Sequence, residues 1–436
     1  MQKLLLFNCS ALVDDGRNGF SCLNPAYVGI TGDTITYLSA SRPEGEWTEK
    51  DLHGALLIPG LINTHTHAAM TLLRGHGSGL PLDRWLNEAI FPVEDRMTPE
   101  DIAAGNALAQ LEMLRTGTTS YSDMYFSMET AAALCAQTGM KINLSRPITC
   151  FDPDESVSDS FRAKESAALF REWNGKENGR ILVDFSIHAE YTCREKIARE
   201  YAQMGKELGA RMHIHLSETV REHEACKQQY GKTPAEWFLS LGVFDLPTAA
   251  AHCVSVENSD IEILRQSGVS AVHCPSSNMK LGSGFMRLPK LIQCGVNVGL
   301  GTDGTASNDN LNMFEEMHLA ALIHNGFSSD PTAVSAADVL NMATRNGARL
   351  QGRTETGSLA VGKKADIAAV DMNRPHLIPS FDAVTTLLYS AQGSDVMMTM
   401  VDGKILYENG EYLTIDADKV YFDVRQALKR LYGDTL

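Results

Sequence analysis

Two histidine pairs with a single residue between them carry the first chemical signal, His65-Thr66-His67 and His213-Ile214-His215. Residues two apart on a strand project from one face, so each pair can aim two imidazoles at one point. Neutral imidazole nitrogens suit a borderline divalent ion such as zinc. Glu218 follows the second pair, and Asp303 stands in Gly301-Thr302-Asp303-Gly304. A third imidazole, an aspartate and a nearby carboxyl group suit metal-assisted hydrolysis, in which the metal acidifies a water and the carboxyl group carries its proton. Of the second pair, His215 is the expected ligand. His213, deeper in its strand, is expected to be a hydrogen-bonded core residue. Alone, a His-x-His pair reads as two surface histidines and Asp303 as a turn residue, so the surrounding elements must decide.

Those elements alternate. Apolar, β-prone runs occur at Leu56–Asn63, Thr118–Tyr121, Lys141–Leu144, Ile181–Ile187, Arg211–Leu216, Thr248–Val254, Val269–Val272 and Val296–Leu300, with helical segments between them. Thr98-Pro99 with Asp101, and Thr233-Pro234 with Glu236, are helix-opening signatures, and Gly117 and Gly242 close the helices they open. Eight strands with intervening helices predict a (β/α)8 TIM barrel, whose active site lies at the C-terminal ends of its strands. Those ends run into His65/His67, Asp123, Arg146, His188, His215, His252, His273 and Asp303. Purely structural strands would end in apolar or small residues, so the pattern argues for a site. The flanks are β-rich and too short to stand alone. They are expected to pair as one discontinuous β-sandwich domain from both termini, residues 1–57 and 357–436, with a terminal helix at 417–432. The barrel then spans residues 58–356.

Composition narrows the function. The chain of 436 residues carries 54 acidic against 38 basic side chains, a net charge of −16 that repels nucleic acid and anionic membranes. Leu4–Phe7 is too short for a signal-peptide core, and no window approaches the ~18 apolar residues of a membrane span. Nine cysteines without a CxxC pair fit reduced thiols in a cytoplasmic protein. Nothing on the outer helices indicates an oligomeric state.

Five segments carry a family resemblance: Pro59–His67, His215-Leu216-Ser217-Glu218, Ala251-His252-Cys253-Val254, His273–Asn278 and Gly301–Asn308. In this order they resemble the amidohydrolase superfamily, most closely its 5′-methylthioadenosine/S-adenosylhomocysteine deaminases. The resemblance implies that His65, His67, His215 and Asp303 bind one divalent metal, Zn2+ or Fe2+. It implies that Glu218 shuttles protons and that His252 contacts the attacking hydroxide or the tetrahedral intermediate. It further implies that Trp85 lines a nucleoside pocket, Glu94 accepts bonds from the ribose hydroxyls, His188 contacts the ribose and Ser307 the base. Arg146 would bind the carboxylate of a homocysteine tail. The fourth strand ends in Ser186-Ile187-His188-Ala189 without the lysine of binuclear relatives, which favours a mononuclear deaminase.

One departure bears on the substrate. Where the family commonly has a second arginine after the third strand, residues 151–159 are strongly acidic and the nearest arginine is Arg162. The expected activity is hydrolytic deamination of adenosine-type nucleosides: 5′-methylthioadenosine, S-adenosylhomocysteine, adenosine or 5′-deoxyadenosine. The alternative is a deaminase or chlorohydrolase of a free base or triazine, which has no ribose for Glu94. A non-catalytic scaffold of the same fold is the reading from another class, and the complete ligand set with Glu218 argues against it. His273 is expected to support Asp303 or to pack.

Overall fold

The computed structural model describes residues 3–433. Strands β1 (Lys3–Asp14), β2 (Phe20–Thr31), β3 (Thr34–Ser39) and β4 (Thr48–Pro59) open the chain. The next eight alternate with helices: β5 (Leu61–Thr66), β6 (Thr118–Met124), β7 (Lys141–Ile148), β8 (Ile181–Ile187), β9 (Met212–Leu216), β10 (Thr248–His252), β11 (Ser270–His273) and β12 (Val298–Leu300). The last are β13 (Ile367–Val370), β14 (Val396–Val401), β15 (Lys404–Glu408) and β16 (Glu411–Tyr412).

Strands β5 to β12 form one parallel sheet in chain order. They are buried along almost their whole length, as a parallel sheet covered by helices demands. The sheet curls until β12 meets β5. There Thr64 Oγ1 donates to the Leu300 carbonyl at 2.9 Å and the Asp303 amide donates to the His65 carbonyl at 3.0 Å. Glycines permit this approach: a Cβ on Gly301 would lie 2.9 Å from the His65 nitrogen, inside contact distance. The same hydrogen bond that closes the barrel therefore fixes Asp303 beside His65.

The terminal segments meet in a second eight-stranded sheet, ordered β16-β15-β14-β13-β4-β1-β2-β3. The alternation of its side chains separates two environments. Leu57, Ile367 and Ala369 join the sheet's own core with Leu6, Val28 and Met400. Leu56, Ile58, Ala368 and Val370, one residue out of phase, join the core shared with the barrel. The expected single run Leu56–Asn63 is divided between the two sheets: β4 ends at Pro59 and β5 starts at Leu61. Gly60 makes the junction, because a Cβ there would stand 2.3 Å from the Thr119 side chain. Hydropathy is continuous across it, so only sterics mark the break.

Both expected helix starts form. Thr98 Oγ1 accepts from the Asp101 amide while the Asp101 carboxylate accepts from the Thr98 amide, opening the helix Pro99–Arg115. Thr233 and Glu236 repeat the device before Pro234–Ser240. The terminal helix spans Ala417–Tyr432, and its Arg430 forms an ion pair with the buried Asp101. Among the described residues no helix is long and apolar enough to cross a membrane. All nine cysteines are free thiols.

Candidate metal and active site

The strand ends converge on one point. His65 is the penultimate residue of β5 and His67 follows the strand, His215 lies in β9, His252 ends β10, and Asp303 follows β12. The ring centroids of His67 and His215 each lie 4.9 Å from that of His65, and that of His252 lies 5.5 Å away. The Nε2 atoms of His65 and His67 each lie 3.3 Å from Asp303 Oδ1. Nitrogen and oxygen atoms of His65, His67 and Asp303 lie within 4.8 Å of one another, as do those of His65, His215 and His252. His252 thus stands as near His65 as a ligand would, beside its expected hydrogen-bonding position.

Hydrogen bonds behind the rings select the inward nitrogen. His67 Nδ1 faces the Met124 carbonyl at 2.5 Å and His215 Nδ1 faces the His188 carbonyl at 2.8 Å. A carbonyl only accepts, so each Nδ1 carries the proton and each Nε2 offers its lone pair to the centre. His252 Nδ1 meets Asn278 Oδ1 at 2.9 Å in the same way. His65 Nδ1 meets His213 Nε2 at 3.0 Å, so His213 is the hydrogen-bonded core residue its position suggests. Burial pushes His65 down to about 4 and His215 well below the usual imidazole range, holding both in the neutral, ligating form.

This donor set fits a cation. His65 Nε2 is buried and makes no hydrogen bond, a costly state for a polar atom. At the same place, imidazole lone pairs face a carboxylate oxygen across 3.3 Å, an arrangement that a positive charge between them stabilises. The other Asp303 oxygen, Oδ2, is held by the Ser277 and Ser307 hydroxyls at 2.7 and 2.8 Å. Burial pushes the Asp303 carboxyl upward, but the close approach of His65 and the neighbouring imidazoles outweighs it and holds the group well below the usual carboxylate range. Asp303 has φ 60° and His252 φ 73°, left-handed conformations uncommon outside glycine, as strained positions at functional sites often are.

One cavity of about 570 Å³ opens onto this cluster, within the usual size of a small-ligand site. Glu218 lines it, buried, with the Ser283 hydroxyl 3.3 Å from Oε1 and His252 Nε2 3.8 Å from Oε2. Burial raises the Glu218 carboxyl above its ordinary range, only partly countered by His252. Trp85, Glu94, Arg146, His188 and Ser307 line the same cavity. Trp85 is packed behind Gly77, where a Cβ would approach its ring to 3.1 Å. Glu94 is partly buried and accepts from the Tyr125 hydroxyl, and desolvation raises its carboxyl too. The Ser307 hydroxyl is engaged with Asp303. Arg162 also reaches the cavity, whereas no residue of the acidic run Asp152–Asp159 lines it.

Two strand ends play other parts. Asp123 Oδ1 accepts from the Ala68 amide at 2.8 Å and so fixes the turn that follows His67. His273 does not support Asp303; it turns to His324, with 3.0 Å between their Nε2 atoms. Sequence reasoning missed Ser277, Asn278, Ser283 and Tyr125. Ser277 and Asn278 stood within the His273–Asn278 motif, where two polar residues at a helix start were the available signal. Single hydroxyls such as Ser283 and Tyr125 gave none.

A parallel eight-stranded barrel with histidines and an aspartate at its C-terminal strand ends defines the class of metal-dependent barrel hydrolases. Comparison with known proteins agrees: a model described as the amidohydrolase family matches residues 56–406. A 5-methylthioadenosine/S-adenosylhomocysteine deaminase of Acetivibrio thermocellus is 46% identical over 415 residues, covering 94% of this chain and 95% of that protein. A 5′-deoxyadenosine deaminase of Methanosarcina mazei is 44% identical over 432 residues, covering 99% of each. The crystal structure of an adenosine deaminase from Xanthomonas campestris with bound Zn superposes with a TM-score of 0.92 at 32% identity, over 99% of this chain and 98% of that one. The chain belongs to the amidohydrolase family. Within it, the protein is a metal-dependent aminohydrolase.

Proposed function

We propose that the protein hydrolytically deaminates the adenine ring of adenosine-type nucleosides, releasing ammonia and the inosine analogue. The substrate is a small molecule of the 5′-methylthioadenosine, S-adenosylhomocysteine, adenosine or 5′-deoxyadenosine type, in keeping with the relatives' activities. His65, His67, His215 and Asp303 would hold one divalent ion, which we take to be zinc, as in the Xanthomonas campestris structure. When bound, the ion lowers the pKa of a water toward about 7 and stabilises negative charge on oxygen.

The protein's own groups move the protons. Glu218, whose carboxyl burial raises above its ordinary range, gives its proton to ring nitrogen N1 as the water oxygen adds to C6. Asp303 takes the proton that the water loses and passes it to the amino group, which leaves as ammonia. The remaining hydroxyl proton returns to Glu218, closing the cycle. His252, held by Asn278, presents Nε2 to the attacking oxygen, a preorganised polar contact that needs no rearrangement. Trp85 supplies apolar area for the nucleoside, His188 contacts the ribose and Ser307 the base. Arg146 contacts a charged tail where the substrate has one.

The nucleoside reading is carried by Glu94, a partly buried carboxyl group in the same cavity as the metal cluster. An acceptor there suits a ribose diol. Glu94→Ala is expected to raise KM for adenosine far more than for free adenine. Equal effects on the two would contradict the nucleoside assignment and favour a free-base or triazine enzyme. We read residues 1–57 with 357–436 as one structural unit and 58–356 as the catalytic barrel. Nine free thiols suit a reducing, cytoplasmic setting.

A further inference from the structure

The backbone of Glu218 is held by another carboxyl group. Glu222 Oε2 accepts from the Glu218 amide at 3.1 Å and from the Thr219 amide at 3.3 Å, while Thr219 Oγ1 accepts from the Glu222 amide at 3.1 Å. The Thr219 and Glu222 bonds are the device that opens the helix Val220–Tyr230. The bond to the Glu218 amide goes one residue further back than that device requires. Ser217, just before Glu218, has φ 47°, and its carbonyl accepts from the Val254 and Ser255 amides. Such a conformation persists only where the surroundings hold it, and Glu222 supplies one of the bonds that do so.

An acid faces Glu222 where a cation would be expected. The matching acid of the helix Pro99–Arg115, Asp101, is paired with Arg430. Glu222 instead meets Glu190, within hydrogen-bonding reach, in the turn Glu190–Thr192 that follows β8 and His188. Glu190 is 2% exposed and Glu222 8%. Apart from each other, Glu222 Oε1 and both Glu190 oxygens have no partner. Ionised carboxylates only accept, so two of them buried together would repel and would lack donors. One proton between them makes Glu222 Oε1 a donor and Glu190 its acceptor, while Oε2 still accepts from the Glu218 amide. Burial pushes the Glu190 carboxyl up to about 7, and burial with the neighbouring Glu190 and Glu218 charges holds Glu222 well above the usual carboxylate range. The pair also ties the loop of His188 to that of Glu218, and Tyr191, beside Glu190, lines the cavity.

We propose that Glu222 is a positioning residue for Glu218 and acts as half of a carboxyl pair that shares one proton with Glu190. This rests on the deaminase reading above and deepens it by naming what aims the proton carrier.

Ammonia release from methylthioadenosine is measured for wild type, Glu222→Ala and Glu222→Gln. In Glu222→Ala, kcat is expected to fall about ten- to a hundredfold with KM little changed, the pattern of a displaced catalytic group. A glutamine can accept from the Glu218 amide and donate to Glu190, so Glu222→Gln is expected to recover most of that loss. A glutamine variant as slow as the alanine variant, an alanine variant as fast as wild type, or a loss confined to KM would overturn the positioning role. The proton is read by infrared difference spectroscopy at pH 7 between wild type and the double variant Glu190→Gln/Glu222→Gln. One protonated-carboxyl band unique to wild type is expected, and its absence would overturn the shared proton whatever the activities. If wild type releases no ammonia from methylthioadenosine or the other adenosine-type nucleosides, the nucleoside reading itself fails, and the infrared band still decides the pair. Unfolding midpoints establish that the variants are folded.

Discussion

His213 Nε2 and His65 Nδ1 stand 3.0 Å apart in the barrel interior, and this contact decides which nitrogen His65 offers to the centre. His65 is fully buried, so without His213 its ring would have no fixed orientation and Nδ1 no partner. Groups behind a metal ligand commonly govern affinity as much as the ligand does.

His213→Ala is therefore expected to weaken metal retention by roughly ten- to a hundredfold while leaving the inward donors in place. Competition with a graded chelator, read by metal analysis, checks it. Retention equal to wild type would remove His213 from the metal's support.

Glu218→Gln keeps the shape and the Ser283 contact but cannot carry a proton. Turnover is expected to fall roughly a hundredfold to ten-thousandfold, the usual worth of a positioned acid–base group, with metal content unchanged. A fall of less than tenfold in kcat would mean that another group moves the proton.

Glu316 links the elements that hold Asp303. It accepts from the Ser276 amide at 3.2 Å and from Asn308 Nδ2 at 2.7 Å, and the neighbouring residues Ser277 and Ser307 are the two donors to Asp303. Burial pushes Glu316 up to about 8. The unfolded chain loses this proton near its ordinary value of about 4.3, whereas the folded chain keeps it until about 8. Folding thus takes up a proton in that window, and the stabilisation, fully present below it, is lost as pH rises toward 8. Unfolding midpoints at pH 5 to 8.5 are expected to decline less steeply in Glu316→Gln than in wild type. Parallel profiles would contradict this assignment.

Gly60→Ala should be felt at the junction of the two sheets. A Cβ there meets Thr119 at 2.3 Å, while the Gly60 amide is bonded to the Asp366 carbonyl and the following Leu61 amide to the Gly117 carbonyl. A loss of about 1–3 kcal/mol is expected, as for other overpacked interiors, and a lowered unfolding midpoint measures it. An unchanged midpoint would show that Thr119 yields without cost.

The barrel and most of its site were legible because parallel strands alternate with capped helices and nearly all of them ran into ionisable residues. His65, His67, His215, His252, Glu218 and Asp303 reveal themselves by type and by position at strand ends. The break at Gly60 was not legible, since hydropathy runs unbroken from Leu56 to Asn63 and only the approach of Thr119 divides it. Asn278 and Ser283 were hidden for another reason: they act across 26 and 65 residues of chain, and a lone amide or hydroxyl leaves no periodic trace. The ion pair of Arg146 with Glu165 was hidden likewise, because it depends on how the helix after β7 docks.

The most direct test of the central claim is ammonia release by the metal-loaded protein with methylthioadenosine, S-adenosylhomocysteine, adenosine, 5′-deoxyadenosine, guanine and cytosine compared side by side. The account predicts that the adenosine-type nucleosides are deaminated with kcat/KM values well above those of both free bases. Faster release from guanine or cytosine, or no release from any of the nucleosides, would contradict it.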